Sequence, residues 1–256
     1  MLDKLSLIVN SQRKHVTARI LFCAAAIIVW NQPILAGVRV LDQSTTGNPP
    51  VPARGATYSE SLATGDRARR YRQLDQALAY YETAIDQAAN DTERALAIGK
   101  KAEIYAFERK DYEAARAIIE GALRLNDVQP VARVTALQVL AECRMKADTN
   151  YQAAVVILEQ AAQLRGVEWA QPSVAIKLGD CYRFTGRYDE ALAAYQRILG
   201  MSSADRNIKA VTYLNIGLTY QYDLGDAEKA KAAYAKAAEM KPDLKNEIDG
   251  HLAKIQ

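Results

Sequence analysis

The chain of 256 residues contains very little cysteine and histidine, with three of the former and two of the latter. His15 and Cys23 lie within the first 36 residues, so the rest of the chain holds only His251, Cys143 and Cys181. Zinc sites are built from closely spaced sets of Cys and His ligands. The body of the chain cannot supply such a set, and we expect no bound metal and no cofactor.

The sequence also lacks the motifs that mark common catalytic sites. It has no Gly-x-Ser-x-Gly nucleophile turn, no glycine-rich turn between a strand and a helix, and no paired histidines. Its acidic residues and lysines are spread as they are on helix surfaces. We therefore predict that the protein is not an enzyme.

Proline is scarce after Thr57, where it occurs only at Pro130, Pro172 and Pro242, and no stretch alternates as a strand would. Alanine-rich stretches with apolar residues three and four positions apart fill the same region. This pattern predicts an all-α body over residues 58–256.

Excess positive charge is confined to the start of the chain. The formal charge is +3, from 33 basic and 30 acidic residues. Residues 1–36 hold Lys4, Arg13, Lys14 and Arg19 against Asp3, and removing these leaves 29 basic and 29 acidic residues. A neutral body lacks the positive excess that drives binding to nucleic-acid backbones, so we predict no nucleic-acid partner.

An apolar stretch of eleven residues, Ile20–Trp30, follows these basic residues. It is shorter than a membrane span, which needs about 20 apolar residues, and the order of segments is typical of a secretory signal. We interpret residues 1–36 as a signal peptide or an uncleaved signal anchor, with a transit peptide or an internal hydrophobic segment as the remaining alternatives. The rest is then expected to be exported, either periplasmic or membrane-anchored and facing the periplasm. Residues 37–57, rich in proline and glycine, are predicted to be a linker.

The body repeats itself with a period near 38 residues. An alanine recurs in the second helix of each unit, and a small residue recurs in the first helix. The alanines are Ala77, Ala115, Ala154, Ala191 and Ala230, and the small residues are Gly65, Ala102, Ala141, Gly179 and Gly217. A small residue at a helix crossing lets two backbones approach, and an aromatic residue nearby fills the space beside it. The units are therefore predicted to be helix pairs that stack on one another.

The clearest unit reads VAIKLGDCYRFTGRYDEALAAYQRIL, at Val174–Leu199, and Lys241-Pro242-Asp243 closes the last unit. With these residues the chain resembles the tetratricopeptide repeat family over about residues 58–243, although its units are longer than the family's; Sel1-like repeats are a minor alternative. The resemblance implies a right-handed α-solenoid of about five helix pairs, at residues 58–92, 95–129, 134–168, 172–206 and 210–243. Residues 243–256 are predicted to form a capping helix with His251 solvated on its surface.

The resemblance also implies which face would bind a partner. In similar repeats the residue after the small residue faces the concave groove, and here it is acidic in four units, at Asp66, Glu103, Glu142 and Asp180. We call these four residues the acidic row, and they favour a basic or amine-bearing peptide. The alternative is that they are surface charges with local partners such as Arg69 and Arg183. The predicted groove combines the acidic row with Phe107, Arg183, Phe184 and Tyr222.

Some members of this family clamp a carboxylate terminus in the groove with lysine and asparagine. Lys100, Lys177 and Asn215 lie on the corresponding face here, but the acidic row opposes them. We therefore do not expect this chain to bind a carboxylate tail in that way.

The sequence also leads to expectations for an arginine cluster, a tryptophan and two cysteines. Tyr71 is surrounded by four arginines, Arg67, Arg69, Arg70 and Arg72, which form either a solvated helix face or a contact for anionic lipid or polysaccharide. Trp169 is either a staple between units or an exposed anchor. Cys143 and Cys181 occupy equivalent positions in neighbouring first helices, about 8 to 10 Å apart, and are predicted to be buried free thiols.

Together these features predict a non-catalytic scaffold that binds a protein or peptide segment in its groove, within a cell-envelope assembly. Two alternatives stay open. One is an accessory protein that binds carbohydrate or an envelope polymer, and the other is a homo-oligomeric spacer.

Overall fold

The computed structural model describes residues 56–255, and every regular element in that range is helical. The helices are α1 Tyr58–Arg70, α2 Leu74–Gln87, α3 Asp91–Glu103, α4 Tyr112–Leu123, α5 Pro130–Lys146, α6 Tyr151–Ala162, α7 Gln171–Phe184, α8 Tyr188–Leu199, α9 Arg206–Leu218, α10 Ala227–Met240 and α11 Lys245–Leu252. The first ten form five consecutive helix pairs, and α11 packs on the last pair. The predicted all-α stack of five pairs with a C-terminal helix is confirmed.

The predicted signal segment, residues 1–36, and most of the predicted linker lie outside the described residues. Among the helices that the structure describes, none combines the length and the apolar character needed to cross a bilayer.

Five of the helices begin with the same local device. Their N-cap side chains, which accept a hydrogen bond from the backbone N–H three residues later, belong to Asn90, Asp111, Asn150, Asp205 and Asp226. At α1, Thr57 and Glu60 form a reciprocal capping box. These side chains satisfy N–H groups that have no partner within the first helical turn, which fixes where each helix starts.

Each pair is held together by a match between a small residue and a large one. The matches are Gly65 with Tyr81, Gly179 with Tyr195 and Gly217 with Tyr234, and, in shared core clusters, Ala102 with Ile119 and Ala141 with Leu158. Glycine thus packs against tyrosine, whereas each alanine shares its core cluster with the smaller aliphatic side chain at the position equivalent to that tyrosine. A methyl group on Gly179 would lie 2.4 Å from the Tyr195 ring, so the ring occupies the space that a side chain would need.

The turn inside each pair contains one residue with a left-handed backbone. These residues are Arg72, Lys110, Thr149, Gly186 and Gly225, with φ of 63°, 56°, 48°, 79° and 70°. A single left-handed residue after a helix ends it and lets the chain reverse. The spacing between the small residue of the first helix and the left-handed residue differs among the pairs. It is longer by one residue in the second, third and fifth pairs than in the first and fourth.

The extra residue changes how the first helix ends. In the second and fifth pairs it is accommodated by a widened, π-helical turn, at Ile104–Glu108 and Thr219–Leu224. An inserted residue in a helix is commonly absorbed as such a turn, which redirects the side chains it carries. Phe107 and Tyr222 lie on these two widened turns.

The C-terminal helix closes the stack. Leu244 and Ile248 are buried with the apolar residues of the fifth pair, and Leu252 and Ile255 pack against the same cluster. The prediction that His251 is a solvated surface residue is wrong, because α11 packs against the widened turn Thr219–Leu224 and places this side chain in contact with it. The ring is half-buried, stacks on Tyr234 with centroids 5.9 Å apart, and is 3.0 Å from the Tyr222 hydroxyl.

Burial settles two of the remaining expectations, those for the two cysteines and for Trp169. Cys143 and Cys181 are buried and unbonded, as predicted. Burial raises the pKa of the Cys143 thiol to about 11, so it is protonated and unreactive near neutral pH. Trp169 is 60% exposed in the turn between α6 and α7, which makes it an exposed side chain and not a staple.

Candidate functional site

Side chains of the first helices meet on one side of the stack, which we call the inner face. The Nζ of Lys177, in the fourth pair, lies 5.8 Å from the ring centre of Phe107, in the second pair. Helices separated by a third helix exchange such a contact only where the stack bends toward them. The inner face is therefore the concave surface that repeat proteins of this kind use for binding.

Three members of the acidic row are bonded to the next pair in the same way. The acid after one small residue contacts a polar side chain two positions before the next small residue. The contacts are Asp66 with the Lys100 Nζ at 3.3 Å, Glu142 with the Lys177 Nζ, and Asp180 with the Asn215 Nδ2 at 3.2 Å. The residues that suggested a carboxylate clamp therefore already bind carboxylates of the chain itself.

Glu103 is the exception, and the sequence shows why. The position that would supply its partner in the third pair is Val139, which is buried and apolar. Glu103 instead pairs with Arg69 of the preceding unit, whose Nε also donates to Glu108 at 2.8 Å. Burial alone would lower the pKa of Arg69, but these two carboxylates outweigh it and raise it. The local pairing expected within one helix is thus replaced by bonds between pairs.

Burial decides how each carboxylate behaves. The Glu142 side chain is only 6% exposed, and although burial opposes ionisation, Lys177 and Lys146 prevail and lower its pKa. For Asp180 the balance is reversed: burial raises the pKa, although the hydrogen bond from Tyr195 opposes the change. Both groups have fixed donors, so neither is an open site for a ligand amine.

The acidic row also satisfies the tyrosines that pack on the glycines. The Tyr81 hydroxyl donates to Asp66 at 2.7 Å, and the Tyr195 hydroxyl donates to Asp180 at 2.5 Å. In the fifth pair, where the corresponding residue is Leu218, Tyr234 donates to Gln221 at 2.6 Å instead. A buried phenol hydroxyl needs an acceptor, so part of the acidic row serves the core of each pair.

The predicted aromatic residues occupy different surroundings. Phe107 is partly buried on its widened turn next to Lys177, and Tyr222 is 36% exposed on the other widened turn. Phe184 stacks on Tyr151, with ring centroids 4.6 Å apart, and lies beside Arg183. The structure thus brings Phe107 together with Glu142 through Lys177, while Tyr222 lies against His251 of α11.

Two inner-face residues were given no role in the predicted groove. Lys177 connects three consecutive pairs through Glu142 and Phe107. Asp223 accepts from the Arg183 Nε at 2.6 Å, and both side chains are at most 10% exposed. Lys177 could have been recognised in the sequence as a basic residue that lies about one repeat after an acidic residue, Glu142. Across residues 56–255, no group of three or more His, Cys, Asp or Glu side chains is arranged to hold a metal ion.

Comparison with known proteins agrees with this architecture. The tetratricopeptide repeat family model matches residues 171–243, which contain the fourth and fifth pairs. Over these residues the chain matches the tetratricopeptide repeat family, which supports the resemblance seen in the sequence. The three other pairs follow the same plan of small residue, left-handed turn and buried alanine.

Solved structures share this fold at low sequence identity. One is YrrB, described as a tetratricopeptide repeat protein with an unusual peptide-binding site, which is 22% identical with a TM-score of 0.53, over 76% of this chain and 91% of that one. Another is MamA, also 22% identical, with a TM-score of 0.52 over 71% of this chain and 96% of that one. A search of curated protein sequences finds no match.

Proposed function

We propose that this tetratricopeptide repeat protein is an exported, non-catalytic scaffold that binds a protein segment on its inner face, within a cell-envelope assembly. The observation that carries the proposal is the placement of Phe107 and Tyr222 on the two widened turns. Widened turns inside α-helices occur frequently at functional sites, where they redirect side chains. YrrB, which has a similar fold, is described as having a peptide-binding site, which supports the same use here.

The charges of the inner face refine what such a segment would look like. Each member of the acidic row already has a cation or a hydrogen-bond donor beside it, so the face offers little unpaired negative charge. We therefore expect the segment to be held by an apolar or aromatic anchor near Phe107, with polar contacts around it, and not mainly by attraction between opposite charges. Aromatic anchors commonly dominate the binding energy of such interfaces.

Site-specific photo-crosslinking tests the binding face. A benzophenone amino acid replaces Phe107 in one variant and Tyr222 in another, in cells that express the full chain. The matched control carries it at Val156, which lies in the second helix α6 and is 50% exposed. We expect the two inner-face variants to form the same adduct with a second protein, and the Val156 variant to form none.

Two results would contradict the proposal. If Val156 yields the same adduct as Phe107, the inner face is not the binding surface. If the inner-face variants yield only a dimer of this chain, the protein is a self-associating spacer.

Export rests on the basic and apolar segments of residues 1–36. A phosphatase that is active only outside the cytoplasm, fused after Gln256, should be active in cells. An inactive fusion of normal abundance would place the body of the protein inside the cytoplasm and refute this part of the proposal, whatever the crosslinks show.

A further inference from the structure

A group of exposed cations lies at the turns of the first two pairs. We call it the basic edge and define it as Arg67, Arg70, Tyr71, Arg72 and Lys110, all of them exposed, with Tyr71 71% exposed. Within residues 56–255 the ion pairs of this region are made by the neighbouring Arg69 and Arg109, and not by the four cations of the basic edge. Their positive charge therefore faces solvent.

The ion pairs of the neighbours hold the two turns side by side. Arg69, in the last turn of α1, bonds to Glu108 in the second turn, and Arg109 bonds to Asp75 at the start of α2. Arg72 and Lys110 occupy the same structural position in successive pairs. They therefore project from one edge of the stack.

Arg72 and Lys110 have a backbone conformation that is unusual for residues other than glycine. Both are left-handed, with φ of 63° and 56°, at the position where the fourth and fifth pairs have Gly186 and Gly225. A side chain in this conformation crowds its own backbone, whereas glycine adopts it freely. The last turn of α1 already contains three arginines that suit the negative end of a helix, so helix termination does not require further cations here. Thr149 has the same conformation in the third pair, so what distinguishes Arg72 and Lys110 is their exposed positive charge and not the backbone alone.

We propose that the basic edge docks on an anionic lipid bilayer. Four unpaired cations complement anionic headgroups, and a tyrosine at the tip of a turn suits the boundary between headgroups and acyl chains. The sequence supports this occupant, because the 27 residues between Trp30 and Tyr58 reach at most about 95 Å from the apolar stretch before them. The basic edge shares no residue with the predicted groove, so the proposal does not depend on the groove ligand.

The test uses the left-handed positions themselves. In the full chain, Arg72→Gly with Lys110→Gly removes two cations and relieves both strained backbones, so the thermal midpoint should stay the same or rise. Thr149→Gly is the matched control, because it makes the same backbone change in the third pair without a change of charge. Lys245→Gln removes an exposed cation at the opposite end.

Binding is measured by co-sedimentation with vesicles of phosphatidylcholine containing about a third phosphatidylglycerol, and with phosphatidylcholine vesicles alone. The apolar stretch contributes to both measurements in every variant, so differences between variants isolate the basic edge. Each cation near an anionic surface strengthens binding by about fivefold, so the double variant should bind anionic vesicles about 25-fold more weakly. Binding to neutral vesicles should not change, and the two control variants should behave as the unaltered protein.

Unchanged binding of the double variant to anionic vesicles would overturn the proposal. So would a soluble polyanion such as heparin that binds the basic edge more tightly than the vesicles do, because the edge would then serve an anionic polymer. Because the inner face is untouched, crosslinking at Phe107 should be unaffected in either case.

Discussion

Substitution of Gly179 by alanine tests the packing rule that joins the two helices of a pair. In an exposed helix this change stabilises by about 1 kcal/mol, because glycine is a poor helix former. Here the new methyl group would lie between 2.4 and 2.8 Å from three atoms of the Tyr195 ring. Tyr195 is fully buried, so its ring has no room to move away. Overpacking of this kind costs about 1 to 3 kcal/mol, so after the propensity gain we expect a net loss of about 0 to 2 kcal/mol.

The second and third pairs suggest the compensating change. They place alanine opposite Ile119 or Leu158, so Tyr195→Leu should make room for an alanine at position 179. Alone, Tyr195→Leu should cost about 2 to 4 kcal/mol, because it leaves a cavity and removes the hydrogen bond to Asp180. In the double variant the methyl group fills part of the cavity, and the total loss should be smaller than the sum by about 1 to 3 kcal/mol.

Urea unfolding followed by circular dichroism measures all four free energies of the cycle. Ala141→Gly is the control, because it introduces a glycine opposite Leu158, where there is no ring to accommodate. It should lose about 1 kcal/mol from helix propensity and about 1 kcal/mol more from the buried methyl group that it removes. A Gly179→Ala variant that gains stability, or a cycle in which the single effects simply add, would refute the size-matching argument.

Two further predictions concern protonation. Glu142→Gln should destabilise by about 3 kcal/mol at neutral pH, because it leaves Lys177 without its carboxylate. The folded pKa of Glu142 is lowered, so its contribution is complete above the unfolded value of 4.5 and is lost as pH falls through the folded pKa. Urea unfolding at about pH 7 and pH 3 should show the gap between protein and variant closing, and a constant gap would contradict the assignment. His251, whose pKa is lowered by burial and then by the charges of Lys254 and Arg183, should likewise stabilise α11 above about pH 6.5 and lose that contribution in acid. His251→Gln should remove this step from the pH dependence of unfolding, and an unchanged step would assign it to another group.

The fold was predictable because the determinants of a helix pair lie close together in the sequence. Gly179 and Ala191 lie on the two helices of one pair, with a single connecting turn between them. A small residue and an alanine recur in this arrangement along the chain, and this recurrence gives the number of pairs without any long-range information. The widened turns are less plainly encoded, because the third pair has the same extra residue before Thr149 and ends its first helix without such a turn. Counting residues therefore identifies the number of pairs but not which of them have a widened turn.

The partners of the acidic row could not be predicted with the same ease. Glu142 and Lys177 are 35 residues apart, and their contact depends on how one pair is placed on the next. The prediction for His251 was wrong for a related reason, because a polar residue on a short helix is expected to be solvated unless the packing of that helix is known. Interactions between units depend on the geometry of stacking, which the pattern within one unit does not contain.

The structural duty of the acidic row changes how the groove should be tested. Reversing the charge of Glu142 would remove a buried ion pair, so a loss of binding in that variant would not separate a broken contact from a damaged stack. The Asp66 and Asp180 carboxylates accept from buried tyrosines, and the same objection applies to them. Phe107 is the better probe, because it lies on a widened turn at the inner face and meets the fourth pair through the approach of Lys177 to its ring, not through a buried hydrogen bond. Specificity on this face is therefore expected to reside in the redirected aromatic residues, while the carboxylates beside them hold the pairs together.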